Sequence, residues 1–74
     1  MKGYNVRSYA SAARRRLKYD TGFDYEAYRL GVLKDNPDGY SVLCARFYGV
    51  VEGAYQRGMN IPDTAIRLAA EFVV

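Results

Sequence analysis

The chain has 74 residues, half of them apolar or aromatic, with one cysteine, no histidine and a net charge of +3. That length suits one domain spanning residues 1–74, and that composition suits a packed core rather than a disordered tail. An internal disulfide, an ordinary Cys/His zinc site and any imidazole-based catalysis are excluded.

The charge is segregated. Residues 1–18 hold Lys2, Arg7, Arg14, Arg15, Arg16 and Lys18 and no carboxylate, whereas all eight Asp and Glu residues follow later. A first helix is predicted from an Asn5 cap to the break Asp20-Thr21-Gly22. Val6, Tyr9, Ala10, Ala13 and Leu17 make its core stripe, and Arg7, Ser11, Arg14, Arg15 and Lys18 make a neighbouring basic face, with Arg16 beside the stripe. Residues 1–19 also have the composition of an organellar transit peptide, but that composition is common to basic helices, so the segment is read as part of the domain.

The second helix is expected from about Phe23 to Lys34, with Thr21 and Asp24 resembling a capping box. Phe23, Ala27, Leu30 and Leu33 would supply its buried face. Asp35-Asn36-Pro37-Asp38-Gly39 is the strongest break, with Asn36 as cap and Pro37 in the first turn of the next helix. It echoes the middle of a calcium loop but lacks a ligand at either end, since Lys34 and Ala45 fall on the anchor positions.

The third helix carries the widest apolar stripe: Tyr40, Leu43, Cys44, Phe47, Val50, Val51 and Ala54. Leu43, Phe47 and Val50 are expected to be nearly fully buried, and Cys44 reads as a small core residue. Gly49 and Gly53 lie near the stripe and would let another helix approach closely. Gly58 should end this helix in left-handed geometry, with Met59 packing back over the last turn. A fourth helix opens at Ile61-Pro62-Asp63 and would turn Ala65, Ile66, Ala69, Phe72 and Val73 inward. The fold class is therefore all-α, a small compact bundle of about four helices, reinforced by tight packing or by self-association as a homodimer.

No Ser/His or Cys/His pair, paired carboxylates or phosphate loop is present, so the chain reads as a non-enzymatic protein with no cofactor and no bound metal. Eight tyrosines, several interleaved with arginines, give an interface composition. The residues expected to contact a partner are Arg7, Arg14, Arg15, Arg16, Lys18, Tyr19, Tyr25 and Tyr28. The first-choice partner is nucleic acid, whose phosphates a basic helix can follow. The alternative is a small inhibitor or adaptor that occupies a protein through the Tyr/Arg face. Tyr40, Tyr48 and Tyr55 read as edge residues of the bundle, and the outer face of helix three around Arg46, Glu52 and Gln56 is the fallback surface. A membrane partner is not expected, because the basic helix offers Ala10 and Ala13 where insertion needs larger apolar groups. The lone thiol fits a cytoplasmic location.

Overall fold

The computed structural model describes residues 5–73. Four helices account for most of them: α1 (Val6–Thr21), α2 (Tyr25–Asp35), α3 (Pro37–Gln56) and α4 (Ile61–Phe72). The all-α bundle expected from the apolar periodicity is the observed architecture. Every helix begins at a polar cap that satisfies an otherwise orphan backbone N–H: Asn5 for α1, Asp24 for α2, Asn36 for α3 and Asn60 for α4.

Two glycines stop helices by adopting positive φ, Gly22 at 80° and Gly58 at 71°. At Gly58 the chain reverses through paired bonds, Met59 N–H to the Ala54 carbonyl and Gly58 N–H to the Tyr55 carbonyl. That is the expected left-handed stop, and Met59 folds back against the core.

The contacts fix the helix directions. Tyr9 meets Thr64 near the starts of α1 and α4, and Phe23 stacks on Phe72 where those helices end, so α1 and α4 run parallel. α3 runs antiparallel to α4, because Arg46 in its first half bonds Glu71 at the far end of α4. α2 folds back along α3 through the single residue Asn36, and its Tyr25 ring meets Phe72 of α4.

The core has two ends. At one, Tyr25 and Phe47 stack at 4.1 Å between centroids, flanked by Phe72. At the other, the buried Tyr9 hydroxyl donates to the Met59 carbonyl at 2.7 Å and meets the Thr64 hydroxyl, which also reaches the Asn60 carbonyl. Two hydroxyl protons serve three contacts there, so one is shared between two acceptors. Tyr9→Phe should remove the link between α1 and the α3–α4 turn and cost about 1–3 kcal/mol, read as a lower urea midpoint. An unchanged midpoint would show that this cluster contributes nothing to stability.

Several expected faces are rotated. On α2 the cap is Asp24 rather than Thr21, whose hydroxyl instead accepts from Phe23 N–H. The helix accordingly starts at Tyr25, and Tyr25, Arg29 and Val32 face inward while Ala27, Leu30 and Leu33 are exposed. The physical reason is neighbour count: α2 packs chiefly on α3, so only a narrow strip is covered, and the ring able to stack on Phe47 takes it. On α4 Leu68, Thr64 and Ala65 are buried, whereas Ile66 is 65% exposed and Val73 also faces solvent. On α3 Leu43 and Phe47 are buried as expected, but Val51 rather than Val50 lies at the centre and Cys44 is only partly covered. A Cβ on Gly49 or Gly53 would meet nothing within 4 Å, so neither glycine serves a close helix approach.

Candidate nucleic-acid interface

The α1 residues expected to form a basic face do share one side of the helix, because Arg7, Ser11, Arg14, Arg15 and Lys18 recur at three- and four-residue spacing. Arg7, Arg15, Arg16 and Lys18 are exposed. The fold, however, delivers carboxylates to this face. Arg14 stands 3.6 Å from Glu26, Lys18 lies 3.3 Å from Asp24, and Arg16 pairs with Asp20 one turn on. Arg15 instead donates to the Ser11 hydroxyl at 3.0 Å. Among the described residues Arg7 and Arg15 have no carboxylate partner. Lys2 and Tyr4, which belong to the same basic and aromatic segment, lie outside the described residues.

Both carboxylates that α2 brings are acidified. The Ala27 backbone N–H, and then Lys18, hold Asp24 below its usual value, while the Arg29 hydrogen bond, and then the charges of Arg29 and Arg14, do the same for Glu26. A lowered carboxyl pKa contributes stability that is present at neutral pH and lost as pH falls through the folded value. The pairs are therefore formed at neutral pH, though exposed pairs of this kind, screened by water and salt, add little to stability.

Arg14 is also partly structural. Its guanidinium lies over the Phe47 ring, 5.9 Å from the centroid, and its side chain is the least exposed of the paired α1 cations. Arg7 and Arg15 are the cleaner probes of the α1 surface.

The tyrosines separate. Tyr19 is 86% exposed and Tyr28 is 47% exposed. Tyr25 is buried against Phe47, so it cannot serve as a contact residue, contrary to the sequence expectation. An aromatic ring at the first turn of α2 is the group that closes the α1–α2–α3 junction, and burial is the physical consequence. Its hydroxyl lacks a well-placed hydrogen-bond partner, and burial, followed by the neighbouring Cys44, pushes its pKa up. Tyr48 and Tyr55 remain partly exposed at the edge of α3, as expected.

A second basic surface, only touched on by the sequence reading, lies between α3 and α4. A groove of about 490 Å³ is lined by Arg46, Gly49, Val50, Gly53, Arg57, Arg67, Ala70 and Glu71. The signal available in the sequence was the 3, 4, 4 spacing of Arg46, Gly49, Gly53 and Arg57, a polar and small stripe on α3. Of the fallback surface, Arg46 lines this groove, whereas Glu52 and Gln56 do not. Comparison of the chain with known protein families, curated proteins and solved structures finds no match. Among the described residues no helix is long and apolar enough to cross a membrane.

Proposed function

We propose that this protein is a non-enzymatic binding protein of the cytoplasm that takes the phosphate backbone of a nucleic acid on its cationic surface. One observation carries the reading: Arg7, Arg15, Arg57 and Arg67 are all exposed and, among the described residues, have no carboxylate partner. Guanidinium groups in that state are suited to bidentate phosphate contacts. The ion pairs of Arg14, Arg16 and Lys18 are weak and exposed, so a phosphate can replace the carboxylate at small cost.

The reading predicts salt-dependent binding. In fluorescence anisotropy, each phosphate neutralised on duplex DNA should add about 0.9 to the slope of log affinity against log salt, and about 0.7 on a single strand. Three or four contacts give a loss of roughly a hundredfold for a fivefold rise in salt, read with labelled duplex and single-stranded probes. Absence of measurable binding at low salt would remove the nucleic-acid reading.

A second reading is favoured by a separate observation. Leu30 and Leu33, three residues apart and so neighbours on one side of α2, are 50% and 42% exposed, and adjoining exposed apolar groups suit a protein contact. In that case the chain acts as an inhibitor or adaptor. A pull-down with and without nuclease separates the two: a stoichiometric protein that survives nuclease supports this second reading.

A further inference from the structure

We infer that the α3–α4 groove, rather than the α1 face, is the principal phosphate-binding site, and that its ligand is an extended phosphodiester backbone. The inference rests on the nucleic-acid reading for the ligand class and adds the location and mode of binding.

The charge balance favours the groove. Among the described residues, three guanidinium groups line it against the Glu71 carboxylate, a balance of two positive charges. The depression on α1 is lined by Arg14, Arg15 and Lys18 against Asp24 and Glu26, leaving one, and its volume is about 240 Å³, half that of the groove.

The groove's three arginines are not equivalent. Arg46 is held in place, donating to the Glu71 carboxylate at 2.9 Å and to the Glu71 carbonyl at 3.0 Å, with its guanidinium over the Phe72 ring. Arg57 reaches the Met59 sulfur at 3.9 Å, and neither Arg57 nor Arg67 has an ion pair among the described residues. Two cations are thus available to a ligand while the third is already fixed as a wall.

The floor is small and open. Gly49, Gly53 and Ala70 line it, and the space over both glycines is empty to 4 Å from an added Cβ. Phosphate oxygens can approach between the two helices without displacing a side chain.

Length selects the ligand. The groove runs along α3 from Arg46, its fixed wall, to Arg57, the residue that caps the helix, eleven residues or about 16 Å of rise. A lone phosphate is too small to use that length, whereas a backbone presenting a charge every ~3.4 Å along each strand of a duplex fills it. Among the described residues no aromatic side chain lines the groove, so base stacking has no platform there and binding should be insensitive to sequence. The site also faces away from α1. Phe47 and Tyr55, which meet Arg14 and Tyr9, are two residues from Gly49 and Gly53, about 200° around the helix.

The test compares three variants of the full chain by anisotropy on a labelled single strand and a labelled duplex, with circular dichroism and thermal melts as fold controls. Arg57→Gln with Arg67→Gln should weaken binding by about tenfold or more at low salt and lower the salt slope by roughly 1.4–1.8. Arg7→Gln with Arg15→Gln should weaken it less. Gly53→Leu fills the groove with no change of charge, and should weaken binding about fivefold or more without lowering the melting temperature, because leucine is the better helix former. Wild-type binding that survives both groove variants, or that falls more with the α1 pair, overturns the inference while leaving the nucleic-acid reading intact. No wild-type binding at all defeats both. Inorganic tripolyphosphate is the small-anion control. If it binds as tightly as the strand and depends on Arg57 and Arg67 alike, the site is one for small polyphosphates and the backbone assignment is overturned.

Discussion

Phe47→Ala is expected to lower the unfolding free energy by about 3–5 kcal/mol, the usual cost of removing a fully buried aromatic ring. A domain of this size has roughly 4–11 kcal/mol in total, so the variant should lose a large share of its stability and melt well below wild type. The ring is 1% exposed and takes part in more aromatic contacts than a simple apolar filler would. It stacks on Tyr25, meets Tyr48 edge-on, and lies beneath the Arg14 guanidinium. Its loss opens a cavity at the junction where α1, α2 and α3 meet, and α2 has few other anchors with which to close it. Thermal melts of the purified variant measure the effect. A melting temperature within about 2 °C of wild type would mean that the aromatic cluster does not hold the bundle together.

Leu68→Ala should cost about 2–5 kcal/mol and Ile66→Ala less than about 0.5 kcal/mol, although both delete a large aliphatic side chain two residues apart on α4. Leu68 is fully buried between α1 and α3, whereas Ile66 is 65% exposed. Urea denaturation of the pair tests the rotation of α4 directly. Equal losses, or a larger loss at Ile66, would require α4 to be turned by half its circumference from the orientation described here.

That rotation illustrates where pattern reading stops. α4 carries Ile61, Ala65, Ile66, Leu68, Ala69, Ala70 and Phe72, an apolar arc covering a little over half of its circumference, so the pattern leaves open which part of that arc meets the core. The choice is made by groups far away in sequence. The Tyr9 hydroxyl needs partners once it is buried, and Thr64 provides one, which turns Thr64 and Leu68 inward and Ile66 out. α2 shows the opposite case. Its stripe of Phe23, Ala27, Leu30 and Leu33 is a respectable helical pattern, but the helix has too few neighbours to cover it, and stacking between Tyr25 and Phe47 selects another face.

The candidate surface divides in the same way. Segregation of the basic residues on α1 is a property of the sequence alone, since a 3.6-residue period places Arg7, Arg14, Arg15 and Lys18 side by side whatever the tertiary structure. Their neutralisation is not. Asp24 and Glu26 reach Lys18 and Arg14 only because Gly22 reverses the chain and lays the start of α2 beside the end of α1. The α3–α4 groove is likewise a product of packing: Arg46 and Arg57 share a stripe in the sequence, but Arg67 joins them only when α4 returns antiparallel to α3.

The sequence by itself determined the number of helices, the caps of α1 and α3, the glycine stops, the core stripes of α1 and much of α3, and the positive charge of α1. Those features depend on local hydrogen bonding, backbone stereochemistry and helical period, all of which act within a few residues. The tertiary structure decided which face of α2 and α4 turns inward, which cations remain unpaired, and where two helices leave a groove between them. Those outcomes depend on partners brought together from up to 55 residues apart in the chain, whose rings, hydroxyls and charges compete for the same space.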